Sequence, residues 1–177
     1  MRLASAAVGL AFAIGLTQPL AAQENPIQLA LFTPIQIVPQ SKGVSIVRLN
    51  FIYSVNQSVQ YVDLGLVNVT NGGASKGIQW AAIAVNKGAF TGWQSAFASV
   101  TQGQFKGLQM GVLSMAHEGQ GLQWSGVNVA DNWSSGLQLA VVNYAKRTSG
   151  FQVGLVNIIK EGGQFPIFPI VNWGKKK

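Results

Sequence analysis

The chain has 177 residues, 48% of them hydrophobic and only 10% charged, with a net charge of +7 and no cysteine. That length suits one domain, and the composition excludes an intrinsically disordered chain, a disulfide framework and any thiolate metal site. Twenty-one glycines without a triplet period point to many turns joining short elements, hence to an all-β protein rather than to long helices.

In chain order, the first predicted element is a secretory signal peptide over residues 1–22. Arg2 supplies a positive start, residues 3–16 are almost wholly small or apolar, and a short segment ending in Ala21 and Ala22 offers a cleavage site. A membrane anchor fits less well, because a spanning helix needs about 20 apolar residues and Pro19 interrupts the run. The remainder, residues 23–177, reads as a single repeat-built β domain ending in a basic tail at 174–177.

A phrase of the form glycine, apolar, glutamine, apolar, small, apolar, apolar, asparagine recurs along this domain. With its glutamine as position 3, the frame places Gln28, Arg48, Asp63, Gln79, Gln94, Gln109, Gln123, Gln138, Gln152 and Ile167 in one column. After a first gap of 20, the spacing is 14 to 16 residues, which makes ten copies. Position 4, with Trp80 and Trp124 among its members, is apolar except for Ser95; position 7 is apolar throughout, from Phe32 and Ile52 to Val156 and Val171. Both are expected to be core columns. Position 5 holds small residues in most copies, among them Gly65, Gly111 and Gly154, as though something passes close there. Position 8 favours Asn and Ser, and nearly all charges fall in polar turns between copies.

Eight or nine alternating, Val-rich residues followed by a polar turn predict a strand in each copy. Two architectures use such units: a β-solenoid of about ten 14–16-residue coils, or an up-and-down antiparallel β-barrel of about ten strands. Each copy resembles its immediate neighbour, which favours the solenoid. So does the column shared by Arg48 and Asp63, which stacked coils bring to about 4.8 Å of each other. Pro34, Pro166 and Pro169 fall in the outermost copies, where an open stack has edge strands that tolerate a missing N–H. Strand lengths of about 9–11 residues and the near-terminal Trp173 keep an outer-membrane barrel open as the alternative.

The phrases GLQLAVVNYA, GFQVGLVN, DLGLVNVT and PIFPIVNW resemble the GLQ-GLVN surface repeats of a group of bacterial cell-envelope proteins. The resemblance covers roughly residues 26–173. It implies export and association with the cell surface or outer membrane, and it carries no catalytic residues over. The chain departs from the pattern at residues 92–100, where GWQSAFASV lacks the asparagine, and at its Lys-rich end.

Catalysis has little to work with. The single histidine, His117, lies in a turn beside Glu118, metal sites need three or four convergent ligands, and the glycine-rich turns do not open helices. The expectation is therefore a non-enzymatic exported envelope protein with a structural, adhesive or binding role, without cofactor or metal. A small outer-membrane barrel or pore is the alternative. Its partner would be a surface ligand, a glycan, another envelope component or outer-membrane lipid, and not nucleic acid. Arg48, Asp63, Gln79, Gln94, Gln109, Gln123, Gln138 and Gln152 are expected to stack as a structural ladder. Trp93, Trp133, Lys175, Lys176 and Lys177 are the candidate surface contacts.

Overall fold

The computed structural model describes residues 25–175, so the signal-peptide segment, Lys176 and Lys177 lie outside the described residues. The described chain is β1 (Asn25–Phe32), β2 (Ile35–Gln36), β3 (Val44–Asn56), β4 (Gln60–Thr70), β5 (Ser75–Asn86), β6 (Phe90–Leu139), β7 (Val142–Thr148), β8 (Phe151–Glu161) and β9 (Ile167–Trp173). From β1 through β3, β4, β5, β6, β7 and β8 the pairing is parallel, and the chain winds into a β-solenoid of about nine turns. These parallel strands replace the antiparallel barrel that the strand lengths left open.

The coils stack in the register that the repeat spacing implies. Gln28 pairs with Arg48, Arg48 with Asp63, Asp63 with Gln79, and Gln79 with Gln94. Two details differ. A bulge in β3 between Leu49 and Tyr53 makes Tyr53, and not Ile52, the partner of Val67 in the position-7 column. The last copy does not stack as a coil: β9 runs antiparallel to β8, so Asn172 rather than Ile167 lies against Gln152. The short β2, antiparallel to β1, covers the opposite end. A two-residue strand at one end and Pro169 within the terminal strand at the other leave poor templates for a further strand.

Close stacking explains the glycines at position 1. Gly92, Gly107, Gly121 and Gly136 have φ of 136°, 133°, 114° and 105°. A Cβ on any of the four would lie 2.0 to 2.2 Å from the carbonyl oxygen of the glycine one coil earlier. Position 5 is tight for a similar reason, since a Cβ on Gly111 would meet the Ala96 carbonyl oxygen at 1.8 Å.

The interior is divided along each coil. Under the polar turns lies an apolar column in which Phe90 stacks on Phe105 at 6.2 Å between ring centroids and Phe105 on Trp133 at 6.3 Å, with Ala116 and Ala130 completing the cluster. A second cluster of Val38, Val44 and Val59 fills the first coils. Between these and the opposite corner the interior is polar. The ladder residues Gln28, Arg48, Asp63, Gln79, Gln94, Gln109, Gln123, Gln138 and Gln152 are all buried, as are Asn68, Asn128, Asn143 and Asn157 at position 8. Positions 4 and 7 are consequently not the core. Trp80 is 65% exposed and Trp124 52%, and Ile83 and Val156 of position 7 are also open to solvent. Alternation sends every second side chain inward, and here the inward set is the amides, because stacked coils let each amide bond the next.

Candidate functional site

The ladder pairs the buried glutamines with one another from coil to coil. Gln94 Nε2 donates to Gln79 Oε1 at 2.7 Å, Gln109 to Gln94 at 2.8 Å, and Gln123 to Gln109 at 2.8 Å. Gln138 donates to Gln123 at 2.7 Å and Gln152 to Gln138 at 2.9 Å. At the N-terminal end Gln79 Nε2 donates to Asp63 Oδ2 at 2.6 Å, and Asp63 also accepts from Asn68 Nδ2 at 2.9 Å. Arg48 meets Asp63 with a two-point contact, Nε to Oδ1 and Nη2 to Oδ2, both 2.7 Å. A carboxylate only accepts, so Asp63 obliges Gln79 to turn its NH2 toward it, and each later amide follows suit. The position-8 column runs the other way, with Asn128 donating to Asn143 at 2.9 Å and Asn143 to Asn157 at 2.8 Å. These groups bond one another inside the coil, so they hold the scaffold and leave no face for a ligand.

What the scaffold presents is an outer surface sorted by chemistry. Positions 2, 4, 6, 7 and 9 point outward around one corner of the coil and carry no Lys, Arg, His, Asp or Glu in any stacked coil. Position 6 is the tip of that corner: Phe51 is 74% exposed, Phe97 68% and Leu155 71%, with Leu31, Leu66, Val112 and Val141 also exposed. Trp93 at position 2 and Trp80 and Trp124 at position 4 stand beside the tip. Even at the corner the backbone is bonded from coil to coil, Val141 N–H to Gly126 O and Val156 N–H to Val141 O, both 3.0 Å. A groove of about 460 Å³ lies on this side between Trp124, Leu139, Val141, Leu155 and Ile170.

Apart from the internal Arg48–Asp63 pair, every charged side chain of the described residues lies on the turn side or in the end segments. The basic ones are Lys42, Lys76, Lys87, Lys106, Lys146, Arg147, Lys160 and Lys175; the acidic ones are Glu118, Asp131 and Glu161. The acids are partly paired there. Glu161 contacts Arg147 at 3.2 Å and Lys146 at 3.9 Å, and the exposed His117 Nδ1 lies 2.6 Å from Asp131 Oδ2. The basic edge is therefore in excess. Among the described residues no group of three His, Asp or Glu side chains is placed to hold a metal ion.

The structure brings the eight expected ladder residues into one buried column and leaves Trp93 and Lys175 on the surface. Trp133, expected as a surface contact, is instead fully buried. Its seat is made one coil earlier by Gly119, where a Cβ would lie 2.2 Å from the indole ring. Trp133 lies within β6, where a polar turn was expected, and faces inward against Phe105. Of the apolar corner only Trp93 was expected at the surface, although the signal is in the sequence: five columns without a charge, against turns that hold nearly all of them. Comparison with protein-family models, curated proteins and solved structures finds no match for this chain.

Proposed function

We propose that this is a non-enzymatic, exported repeat protein of the bacterial cell envelope, and that its working part is the apolar corner of the solenoid, used as a binding surface. The observation that carries the reading is the sorted exterior. An apolar corner runs the length of the stack, and a soluble monomer rarely exposes contiguous apolar patches beyond a few hundred Å². The ionisable side chains are either locked in the ladder or held at the opposite edge, so the corner is the surface left to act. Export is supported by the character of residues 1–22 and by the resemblance of the repeats to envelope surface repeats.

The test is fractionation combined with N-terminal sequencing of the protein from its own cells. The expected result is an N-terminus within a residue or two of Gln23 and recovery with the envelope or medium. Intact Met1 in a cytosolic fraction overturns the reading.

A further inference from the structure

We infer that the apolar corner is a lipid-immersion edge. The solenoid lies along one face of a bilayer, with position 6 dipped into the acyl chains of a single leaflet and the basic turns held at the headgroups. This inference rests on the binding role proposed for the corner and names its partner as lipid.

The argument is the order of side-chain chemistry with distance from the tip. In the stacked coils position 6 holds Leu, Phe and Val with two small residues, Ala82 and Gly126. Next to it, at positions 2 and 4, stand Trp80, Trp93 and Trp124; beyond them, at the turns, come the lysines and arginine. Aliphatic and Phe side chains deepest, Trp at the boundary and Lys or Arg outermost is the sequence of environments that a leaflet offers. The dimensions agree. Five residues separate the tip from the charged turns, roughly 16 Å at about 3.3 Å per residue, against about 15 Å for half of a hydrocarbon core. An immersed backbone must have its polar groups bonded internally, and the coil-to-coil bonds at Val141 and Val156 do this at the tip itself. The excess of basic groups on the far edge suits anionic headgroups.

A second copy of the chain fits the corner less well. Apolar side chains flank the tip on both sides, at positions 2 and 4 and at positions 7 and 9, so a second copy would cover one flank whereas fluid lipid closes around both. End-to-end stacking into a filament is opposed by the short β2 and by Pro169.

The experiment uses the protein as recovered from cells, mixed with vesicles of zwitterionic and anionic phospholipid. It should float with the vesicles, and its Trp emission should be quenched more by acyl chains brominated near the headgroup than by chains brominated at their ends. Phe97→Asp combined with Leu155→Asp places two carboxylates at the tip and should weaken vesicle binding roughly a hundredfold or more. Both positions are exposed in the isolated protein, so circular dichroism should be unchanged. Gln102→Asp with Ser149→Asp, on the turn side, is the charge-matched control and should keep binding to purely zwitterionic vesicles within severalfold.

Failure of the unsubstituted protein to float, or tip and control variants that bind equally well, overturns the inference. So does a dimer in solution that Leu155→Asp converts to monomer, which would assign the corner to self-association. An envelope protein that does not float removes lipid immersion and leaves the envelope reading standing. A cytosolic protein that floats does the reverse.

Discussion

Replacing Asp63 by Gln should be among the most damaging single changes in the chain, and replacing Arg48 by Gln at the same time should largely repair it. Arg48 is fully buried, and its side chain bonds Asp63 at two points of 2.7 Å and the Val69 carbonyl at 2.8 Å. Asp63→Gln removes the only buried counter-charge among the described residues and strands the guanidinium, a loss of about 3–5 kcal/mol for a buried pair broken on one side. The double substitution removes both charges and lets the amide ladder run two coils further toward the N-terminus, through positions already aligned with Gln79. Exchanging a whole buried pair for neutral groups is often neutral or stabilising, so the double variant should lie within about 1 kcal/mol of the starting protein. Because Arg48→Gln alone strands the Asp63 carboxylate at a similar cost, the coupling energy should then be about 5 kcal/mol or more. Urea denaturation followed by far-ultraviolet circular dichroism reads all four members of the cycle, provided the m-value is constant. A single-variant loss under about 1 kcal/mol, or losses that simply add, would refute the claim that this pair anchors the ladder.

Excision of residues 92–106 removes one coil and joins Thr91 to Gly107, so Phe90 inherits the seat of Phe105 and Gln109 meets Gln79; the product should melt cooperatively with modestly reduced stability, as stacked repeats do. Excision of residues 107–120 should be worse, because Phe105 then falls where Gly119 makes room for Trp133, and a thermal melt no lower than that of the first deletion would count against this packing. Gly107→Ala and Gly72→Ala both act at positive φ, 133° and 129°, yet a Cβ meets the Gly92 carbonyl oxygen at 2.1 Å in the first and nothing within 4 Å in the second. The first should cost about 1–3 kcal/mol more than the second in urea melts, and equal losses would show that conformation rather than stacking selects the glycines.

Much of the architecture was legible in the sequence because stacking makes equivalent residues touch. The spacing that aligns Arg48 with Asp63 and Gln79 with Gln94 is itself the strand register. Which face of each strand points inward was not legible. Alternation on either side of the corner identifies two faces without saying which is inside, and the usual preference for apolar interiors assigned Trp80 and Trp124 to the core. That preference fails where an inward amide finds a partner 14 or 15 residues away in the next coil, because the cost of burying it is then met by a hydrogen bond. Trp133 was misread for a different reason. It lies outside the repeated phrase, and the space it fills is left by a glycine in another coil. The reversed β9 was hidden because PIFPIVNW keeps the repeat's composition while Pro166 and Pro169 alter its path.

The one-way run of amides from Asp63 to Gln152 bears on how such a chain lengthens. Each Gln carries both halves of the same bond, a donor for the coil before and an acceptor for the coil after, so the row contains no residue whose partner is unique. A duplicated segment of 14 or 15 residues inserted anywhere between Gln79 and Gln152 meets an acceptor on one side and a donor on the other. The Gln152 Oε1 atom, buried without a donor of its own, is the loose end at which that counting stops. Gene-level repeat expansion and loss are thus tolerated by this interior in whole coils, while smaller changes fall outside the ladder, as in the 20-residue first coil that still pairs Gln28 with Arg48. Homologues of this protein should differ in length by multiples of one coil, with β2 and β9 carried along unchanged as the two covers.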